Sequence, residues 1–167
     1  MLSTDAVVHE LYASPEVRDI VVARFGADVA PQGVIDRPAL ARASFATDED
    51  RAWLEGVLWP RVGERMAQWR QDVEHASPQP RAAVVEVPLL FESGLDHGFD
   101  ATVAVIADEA VREERAGARG HQALAQRSAR QLSQTEKSQR ATYTVVNDGN
   151  VEQLEAKLSS ILDMLER

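Results

Sequence analysis

Polar residues follow three apolar stretches of the sequence at the points where strands of a buried sheet would end. Glu86 lies at the end of "AAVVEV", Asp108 directly follows "ATVAVIA", and Asn147 opens "NDG" after "TYTVV". Open parallel sheets bind ligands beyond the carboxyl ends of their strands. These residues, and the "LLFESG" segment after Glu86, are therefore candidates for a ligand site.

Each acidic candidate also has an interpretation without a ligand. Glu86 could be an edge carboxylate that reaches solvent or a residue that holds a metal-bound water, and both stay open. Asp108 followed by Glu109 is more typical of a helix N-cap and a first-turn acid. Asp5 lies in the first turn of a predicted helix, where it could be a capping acid. Glu92 could cap the turn that follows it.

Basic residues are concentrated in one part of this acidic chain. The segment Arg112–Arg140 has seven basic and three acidic residues, a net charge of +4, while the rest of the chain carries -13. Arg115 and Arg119 are four apart and share a helix face, and Arg127 and Arg130 lie on the next predicted helix. Guanidinium groups bind phosphate oxygens in a forked geometry and stack on purines. The segment is either a solvated helical face or an anion site for a phosphate-bearing ligand.

Composition excludes several classes of protein. A net charge of -9 argues against a non-specific nucleic-acid binder. The 167 residues contain no cysteine, no apolar run long enough to cross a bilayer and no basic-then-apolar signal pattern at the N-terminus. We therefore expect a cytoplasmic protein with no membrane partner. The four histidines lack metal-ligand spacing, and no nucleophile-elbow motif occurs.

The front half of the chain carries helix signals. Ser14 followed by proline predicts a helix start and Gly26 its end, while Asp36 and Thr47 predict the caps of two further helices. We expect Pro60 to kink or restart the last of these. The "SPQP" stretch predicts a turn before the back half.

The back half alternates strands and helices. Strands are predicted at residues 82–87, 101–107 and 142–146, with helices between them and an amphipathic closing helix, "VEQLEAKLSSILDML". This order predicts an α/β fold with a mainly parallel sheet. Three strands make a thin sheet, and the chain opens directly on a helix signal at "STDAVVHEL".

The sequence resembles the dephospho-coenzyme A (dephospho-CoA) kinases over essentially its whole length. The similarity is carried by "VVEVPLLFESGLDHGFDATVAVIADEAVREERAGAR" and by "QLSQTEKSQRATYTVVNDGNVEQLEAKL", which is similar to the closing segment of the family. "STDAVVHELY" resembles the start of a family helix, and "RFGADVAPQGVIDRPALARASFATDEDRAWLEGVLWPRV" follows the acceptor-binding helices. The resemblance implies an α/β P-loop NTPase-like fold of the nucleoside/nucleotide kinase type, a parallel sheet with flanking helices.

Some positions depart from the family pattern. No Gly-x-x-x-x-Gly-Lys-Ser/Thr loop occurs in the chain, so we expect a fold that lacks the first strand, the P-loop and the first helix. In the family that strand lies between the strands represented here by "AAVVEV" and "ATVAVIA". The family's usual histidine before proline is Trp59, the arginine of its first helix is His9, the first aspartate of Asp-Ala-Asp is Ser3, and the aspartate before the Asn-x-Gly turn is Val146.

The resemblance implies one incomplete kinase domain over residues 1–167. Residues 6–76 would form a helical acceptor-binding part, and residues 82–167 a core sheet with a lid-like region at about 119–133. The implied reaction is the last step of coenzyme A biosynthesis, ATP-dependent transfer of the γ-phosphoryl group to the ribose 3'-hydroxyl of dephospho-CoA. ATP and dephospho-CoA would be its small-molecule partners, and the oligomeric state stays open.

The resemblance also implies roles for individual residues. Asp5 would be the general base against that hydroxyl, and Glu86 a Walker-B-like acid that reaches Mg²⁺ through water. Arg115 and Asn147 would lie by the adenine of ATP, and Arg119 by its phosphates.

Two further assignments follow from the resemblance. Arg127 would be a weaker phosphate-binding candidate on the lid-like helix pair. The segment beside the acceptor would consist of Pro88, Leu89, Leu90, Phe91 and Glu92.

Without a P-loop the chain is expected to be inactive as written, for example as an N-terminally shortened version of the kinase. One alternative is a degenerate, non-catalytic binder of coenzyme A or nucleotide, or a subunit that completes its sheet with another chain. Another is a different nucleotide kinase of the same fold, which "PLLFESG" makes less favoured.

Overall fold

The computed structural model of the chain describes residues 1–118 and 131–166. The chain forms two compact units, Met1–Pro88 and Leu89–Arg167. Within the described residues, no helix is both long and apolar enough to cross a membrane.

The first unit is mainly helical, with one pair of short strands. Two short 3₁₀ turns, Ala27–Val29 and Pro31–Gly33, separate its second and third helices. In chain order its strands and α-helices are β1 (Leu2–Ser3), α1 (Thr4–Ala13), α2 (Pro15–Phe25), α3 (Arg37–Ser44), α4 (Asp48–Glu74) and β2 (Val85–Glu86).

Side-chain caps begin three of these helices, as the sequence predicts. Ser14, Asp36 and Thr47 each accept a hydrogen bond from the backbone N–H three residues further along, at 3.2, 3.0 and 3.0 Å. Gly26 ends α2 with φ at 87°, a backbone conformation that side chains with a Cβ rarely adopt. Local capping chemistry therefore sets these helix boundaries.

Helix α4 continues through Pro60, so of the expected kink or restart at that residue the restart does not occur. Proline lacks the N–H that would bond to the preceding turn. The helix is nevertheless anchored on both sides of Pro60, because Leu54, Leu58 and Val62 are all buried. Tertiary packing thus outweighs the local cost of the proline.

The helices of the first unit enclose one apolar core. Its centre is formed by side chains from α2, α3, α4 and the two 3₁₀ turns with their flanks. These residues are Val17, Val21, Val29, Ala30, Ile35, Leu40, Leu54 and Leu58.

Strands β1 and β2 form a parallel pair. Leu2 aligns with Val85 and Ser3 with Glu86, and the Leu2 N–H donates to the Val84 carbonyl at 2.9 Å. The helix signal at "STDAVVHEL" corresponds to α1, and β1 occupies the two residues before it. Two residues are too few to produce a strand periodicity in the sequence. The strand predicted at residues 82–87 is also shorter than expected.

The second unit contains the other parallel pair and the helices that flank it. A short 3₁₀ turn, Leu95–Gly98, precedes the first of its strands. Its remaining described elements are β3 (Val103–Ile106), α5 (Glu109–Ala118), α6 (Gln134–Arg140), β4 (Tyr143–Val146) and α7 (Val151–Leu165). Most of the helix predicted from "HQALAQRSARQL" lies outside the described residues.

Strands β3 and β4 pair in parallel from Val103 with Tyr143 to Ile106 with Val146. Just before the pair, Thr102 and Thr142 exchange hydrogen bonds, since each hydroxyl oxygen accepts the backbone N–H of the other residue at 3.0 Å. The α/β class with parallel strands is confirmed. The described strands form two pairs, β1 with β2 and β3 with β4.

Replacing Leu40 by alanine should lower the free energy of unfolding by about 2–5 kcal/mol, because the change leaves a cavity in the core of the first unit. Leu40 is only 2% exposed. The control is Val34→Ala, at a side chain that is 70% exposed, and it should change stability by less than about 0.5 kcal/mol. Urea denaturation followed by circular dichroism measures both. Equal effects would show that Leu40 is not part of a close-packed core.

Candidate functional site

The candidate residues form two groups, one in each compact unit. The first lies at the carboxyl ends of β1 and β2. Thr4 is buried at the start of α1, and its hydroxyl donates to the Glu86 carbonyl at 3.1 Å. This bond joins the start of the helix that carries Asp5 to the end of the strand that carries Glu86. The parallel register brings both carboxylate-bearing residues to the same end of the strand pair.

The carboxylates of Asp5 and Glu86 are available to a ligand. Both residues are exposed, and in the described part of the chain neither side chain makes a hydrogen bond or ion pair. The N-cap residue Ser3 makes no side-chain capping bond, and Asp5 is the acidic residue of the first turn of α1. An unengaged carboxylate at a strand end can accept a proton or bind a hydrated cation.

The second group lies at the carboxyl ends of β3 and β4, where Arg115 holds the loop after β4. Its Nη1 donates to the Asn147 carbonyl at 2.7 Å, and its Nη2 donates to the Gly149 carbonyl at 3.1 Å. The Asp108 N–H donates to Asp148 Oδ1 at 2.7 Å. The loop over residues 147–149 is thus tied to both the start and the body of α5.

These contacts refine what Arg115 and Asp108 can do. The edge of the Arg115 guanidinium is occupied by two carbonyl groups, which leaves its planar face as the surface for an aromatic ring. Asp108 Oδ1 accepts the Ala110 N–H at 2.9 Å, so this aspartate is the helix cap that the sequence favours. Asn147 contributes its carbonyl to the site.

Glu92 lies in the turn that follows the first unit, and its side chain is only 12% exposed. Its Oε1 accepts the Leu132 N–H at 2.9 Å and a contact from Lys137 Nζ at 3.0 Å. Its Oε2 is buried and has no hydrogen-bond partner within the described residues. The carboxylate therefore faces the start of α6.

Burial tends to raise the pKa of Glu92, but other contacts outweigh that effect. Its own backbone N–H, Lys137 and the Leu132 N–H stabilise the charged form and hold the pKa below its ordinary value of 4.5. The side chain is therefore ionised at neutral pH.

The start of α6 contributes residues that the sequence interpretation does not single out. Gln134 accepts the Ala107 N–H at 2.8 Å through Oε1 and donates to the Ala107 carbonyl at 2.9 Å through Nε2. Ser133 and Glu136 form the capping box that the sequence predicts. Lys137 directly follows that box and belongs to the basic segment Arg112–Arg140, and these are the sequence signals that could have indicated it.

The other predicted site residues divide into two sets. Leu89, Leu90 and Phe91 form the turn before Glu92, and the Ser93 hydroxyl donates to the Leu89 carbonyl at 2.7 Å. Arg119 and Arg127 lie outside the described residues. The described part of the chain brings no three histidine or carboxylate residues together as a metal site.

Solved structures place this architecture in a known class. A Thermus thermophilus protein is similar with a TM-score of 0.74 and 30% identity, over 98% of this chain and 83% of that one. A structure titled dephospho-CoA kinase from Campylobacter jejuni has a TM-score of 0.65 over the same shares, at 22% identity, and supports the fold alone. The chain thus has the α/β fold of these structures, with parallel strands and flanking helices, which confirms the predicted fold class.

Sequence comparison narrows the class to one family. Residues 1–153 match the family model described as dephospho-CoA kinase. A Moorella thermoacetica protein of that name is 36% identical over 173 residues, covering 100% of this chain and 81% of the relative. A Deinococcus radiodurans protein of the same name is 37% identical over 172 residues, with 99% and 80% covered. The chain belongs to the dephospho-CoA kinase family.

The Glu92 contacts should make stability depend on pH. Glu92→Gln should lower the unfolding free energy at neutral pH by about 1–2 kcal/mol, because it removes charge-assisted hydrogen bonds. A depressed carboxyl pKa contributes stability above the unfolded-state value and loses it as the pH falls through the folded value. The difference between wild type and variant should therefore shrink below about pH 4.5.

Denaturant unfolding between pH 3 and pH 7 measures this difference. Glu74→Gln is the control, since Glu74 and Arg70 form an exposed i,i+4 ion pair worth less than about 0.5 kcal/mol. A Glu92→Gln difference that stays constant across this range would contradict the pKa shift.

Proposed function

We propose that the chain carries the substrate-binding and general-base residues of an ATP-dependent dephospho-CoA kinase, a phosphotransferase acting on an alcohol group. The γ-phosphoryl group of ATP is transferred to the ribose 3'-hydroxyl of dephospho-CoA, giving CoA and ADP. The observation that carries this proposal is the match over the whole chain to relatives named dephospho-CoA kinase.

Asp5 is the general base of this proposal. Its exposed carboxylate, with no partner in the described part of the chain, accepts the proton of the 3'-hydroxyl as the new O–P bond forms and the bond to the β-phosphate oxygen breaks. The Thr4 bond to the Glu86 carbonyl fixes the first turn of α1, and with it the backbone of Asp5. Phosphoryl transfer depends mainly on such positioning and on charge neutralisation.

Glu86 fits a water-mediated contact to Mg²⁺. Its carboxylate is an oxygen ligand, exposed at the end of β2, and Mg²⁺ usually keeps several waters and binds through few protein carboxylates. The ion, when bound with ATP, neutralises charge on the β- and γ-phosphates. Glu86 supplies negative charge and an oxygen that orients water at the end of β2.

Arg115 and Asn147 form the adenine side of the proposed site. Two carbonyl contacts hold the Arg115 guanidinium in place, so its face can lie flat against the base. Arg119 and Arg127 are proposed for the phosphates. Residues 6–76 and the Pro88–Phe91 segment are each proposed as acceptor-binding parts of the chain.

A second candidate function is binding without catalysis. The 167 residues contain no Gly-x-x-x-x-Gly-Lys-Ser/Thr motif, whose N–H groups and lysine hold the transferred phosphate in P-loop enzymes. We therefore expect this chain to bind both substrates and to turn over only when joined to a phosphate-loop segment from a family member. Calorimetric titration tests binding, and a coupled assay for ADP tests turnover. A chain that binds neither substrate would overturn both candidates.

Asp5→Asn, in the chain joined to a phosphate loop, should lower kcat by roughly 10²–10⁴-fold with little change in ATP affinity, because it removes only the proton acceptor. Asp19→Asn, at an exposed aspartate of α2, is the control and should leave kcat unchanged. Steady-state kinetics with dephospho-CoA give the comparison. A near wild-type rate for Asp5→Asn would exclude Asp5 as the base.

Arg115→Met should weaken ATP binding about tenfold, because it removes the stacking face and releases the 147–149 loop. Arg112→Met is the matched control three residues earlier on α5, where Arg112 pairs only with exposed Glu109 among the described contacts. Calorimetry with ATP measures both. An equal loss in the two variants would indicate a general charge effect and not a specific contact.

A further inference from the structure

One set of hydrogen bonds within the second unit connects the Leu89–Glu92 segment to the loop after β4. It begins at Glu92, whose Oε1 contacts both the Leu132 N–H and Lys137 Nζ. Leu132 lies two residues before α6 and Lys137 lies one turn inside it. The carboxylate therefore fixes the segment against the start of this helix from two directions.

The start of α6 is in turn fixed to the end of β3. The Gln134 amide uses both of its polar atoms on the backbone of Ala107, at 2.8 and 2.9 Å. A shift of α6 along its axis would strain both bonds together. Motion at the first residues of α6 is thus transmitted to Ala107.

Ala107 leads directly into the proposed adenine side. The next residue, Asp108, donates its N–H to Asp148 Oδ1 at 2.7 Å, and Arg115 donates to the carbonyl groups of Asn147 and Gly149. Each step is a direct hydrogen bond or a short stretch of main chain, from Leu132 to Gln134 and from Ala107 to Asp108. The path from Glu92 to the 147–149 loop is therefore continuous.

Glu92 is the residue of this path whose environment makes it most sensitive to displacement of its hydrogen-bond donors. The side chain is 12% exposed, while its Oε2 is buried without a hydrogen-bond partner in the described part of the chain. A desolvated carboxylate that is compensated mainly through one oxygen responds strongly to small displacements of its donors. The family resemblance implies that Glu92 belongs to the segment beside the acceptor, and in the structure its side-chain contacts face α6.

We propose that Glu92 is a positioning residue that couples acceptor binding beside Leu89–Phe91 to nucleotide affinity at the 147–149 loop. The inference rests on the proposed function, because it takes dephospho-CoA and ATP as the two ligands. Acceptor binding moves the turn, Glu92 transmits the shift to α6, and Gln134 passes it to the strand end that carries the adenine contacts. Thermodynamic linkage requires the coupling to be reciprocal.

The experiment measures the dissociation constant of the β,γ-imido analogue of ATP by calorimetry, with and without saturating dephospho-CoA. In the wild-type chain, dephospho-CoA should change nucleotide affinity by at least about fivefold. In Glu92→Gln, dephospho-CoA should change nucleotide affinity by less than about twofold. The reverse titration, of dephospho-CoA with and without the nucleotide analogue, should give the same factors.

Three further variants separate positioning from general destabilisation. Lys137→Met should reduce the coupling factor as Glu92→Gln does, and Lys137→Arg should retain it because the positive charge remains. Glu74→Gln, in the exposed pair on α4, should leave the factor at the wild-type value. If Glu92→Gln fails to fold by circular dichroism, the two Lys137 variants decide the result.

Each outcome bears on the inference. A wild-type chain that binds both ligands without coupling, or a Glu92→Gln chain that keeps the full factor, overturns the role of Glu92 while the proposed function stands. If the wild-type chain binds neither ligand, the proposed function and this inference are both overturned.

Discussion

Backbone groups at the ends of the short parallel strands, and in the residue that follows β3, need partners that the strand ladders do not supply. Unpaired buried backbone groups cost roughly 1–3 kcal/mol each. Side chains from the flanking elements satisfy them at several points: Thr4 at the Glu86 carbonyl, Gln134 at both polar groups of Ala107, and Lys157 at the Val146 carbonyl. The strands of the two pairs are only two and four residues long, so these side-chain bonds contribute a large share of what holds the strand ends in place.

The same need for hydrogen-bond partners at the strand ends determines where the candidate site lies. Thr4 and Gln134 are the first residues of α1 and α6, so the first turns of these two helices lie at the carboxyl ends of strands. Asp5 lies one residue after Thr4, and Arg115 satisfies two carbonyl groups of the loop after β4. Groups that bind ligands and groups that complete the backbone are therefore neighbours, and in Arg115 they are one residue. A substitution there changes both loop geometry and ligand contact.

Much of this arrangement could be predicted from local sequence. The caps at Ser14, Asp36 and Thr47 and the Ser133–Glu136 box follow from residue type and spacing, because capping is a contact over three residues. The family could be recognised because its blocks appear in order along the chain. The strand β1 could not be predicted, since two residues carry no period, and its partner lies more than 80 residues away.

The candidate site was predictable in its positions but not in its contacts. Residues at strand ends follow from the parallel arrangement, and so Glu86 and Asn147 could be proposed, whereas Asp5 was indicated by the family resemblance. The orientation of Glu92 toward Leu132 and Lys137 depends on contacts across 40 residues or more, which a linear pattern does not encode. The sequence left a kink and a restart at Pro60 open for a similar reason, because burial on both sides of the proline decides that α4 continues.

Through its two bonds to Ala107, the Gln134 side chain pairs with the main chain as a residue of a neighbouring strand would. An amide presents one donor and one acceptor side by side, as a peptide group does. Glutamate has the same shape but lacks the donor, and shorter or apolar residues supply neither group at the required reach. The sequence at position 134 is thus restricted by the needs of the main chain opposite it, and an invariant glutamine among relatives would not by itself indicate contact with a ligand.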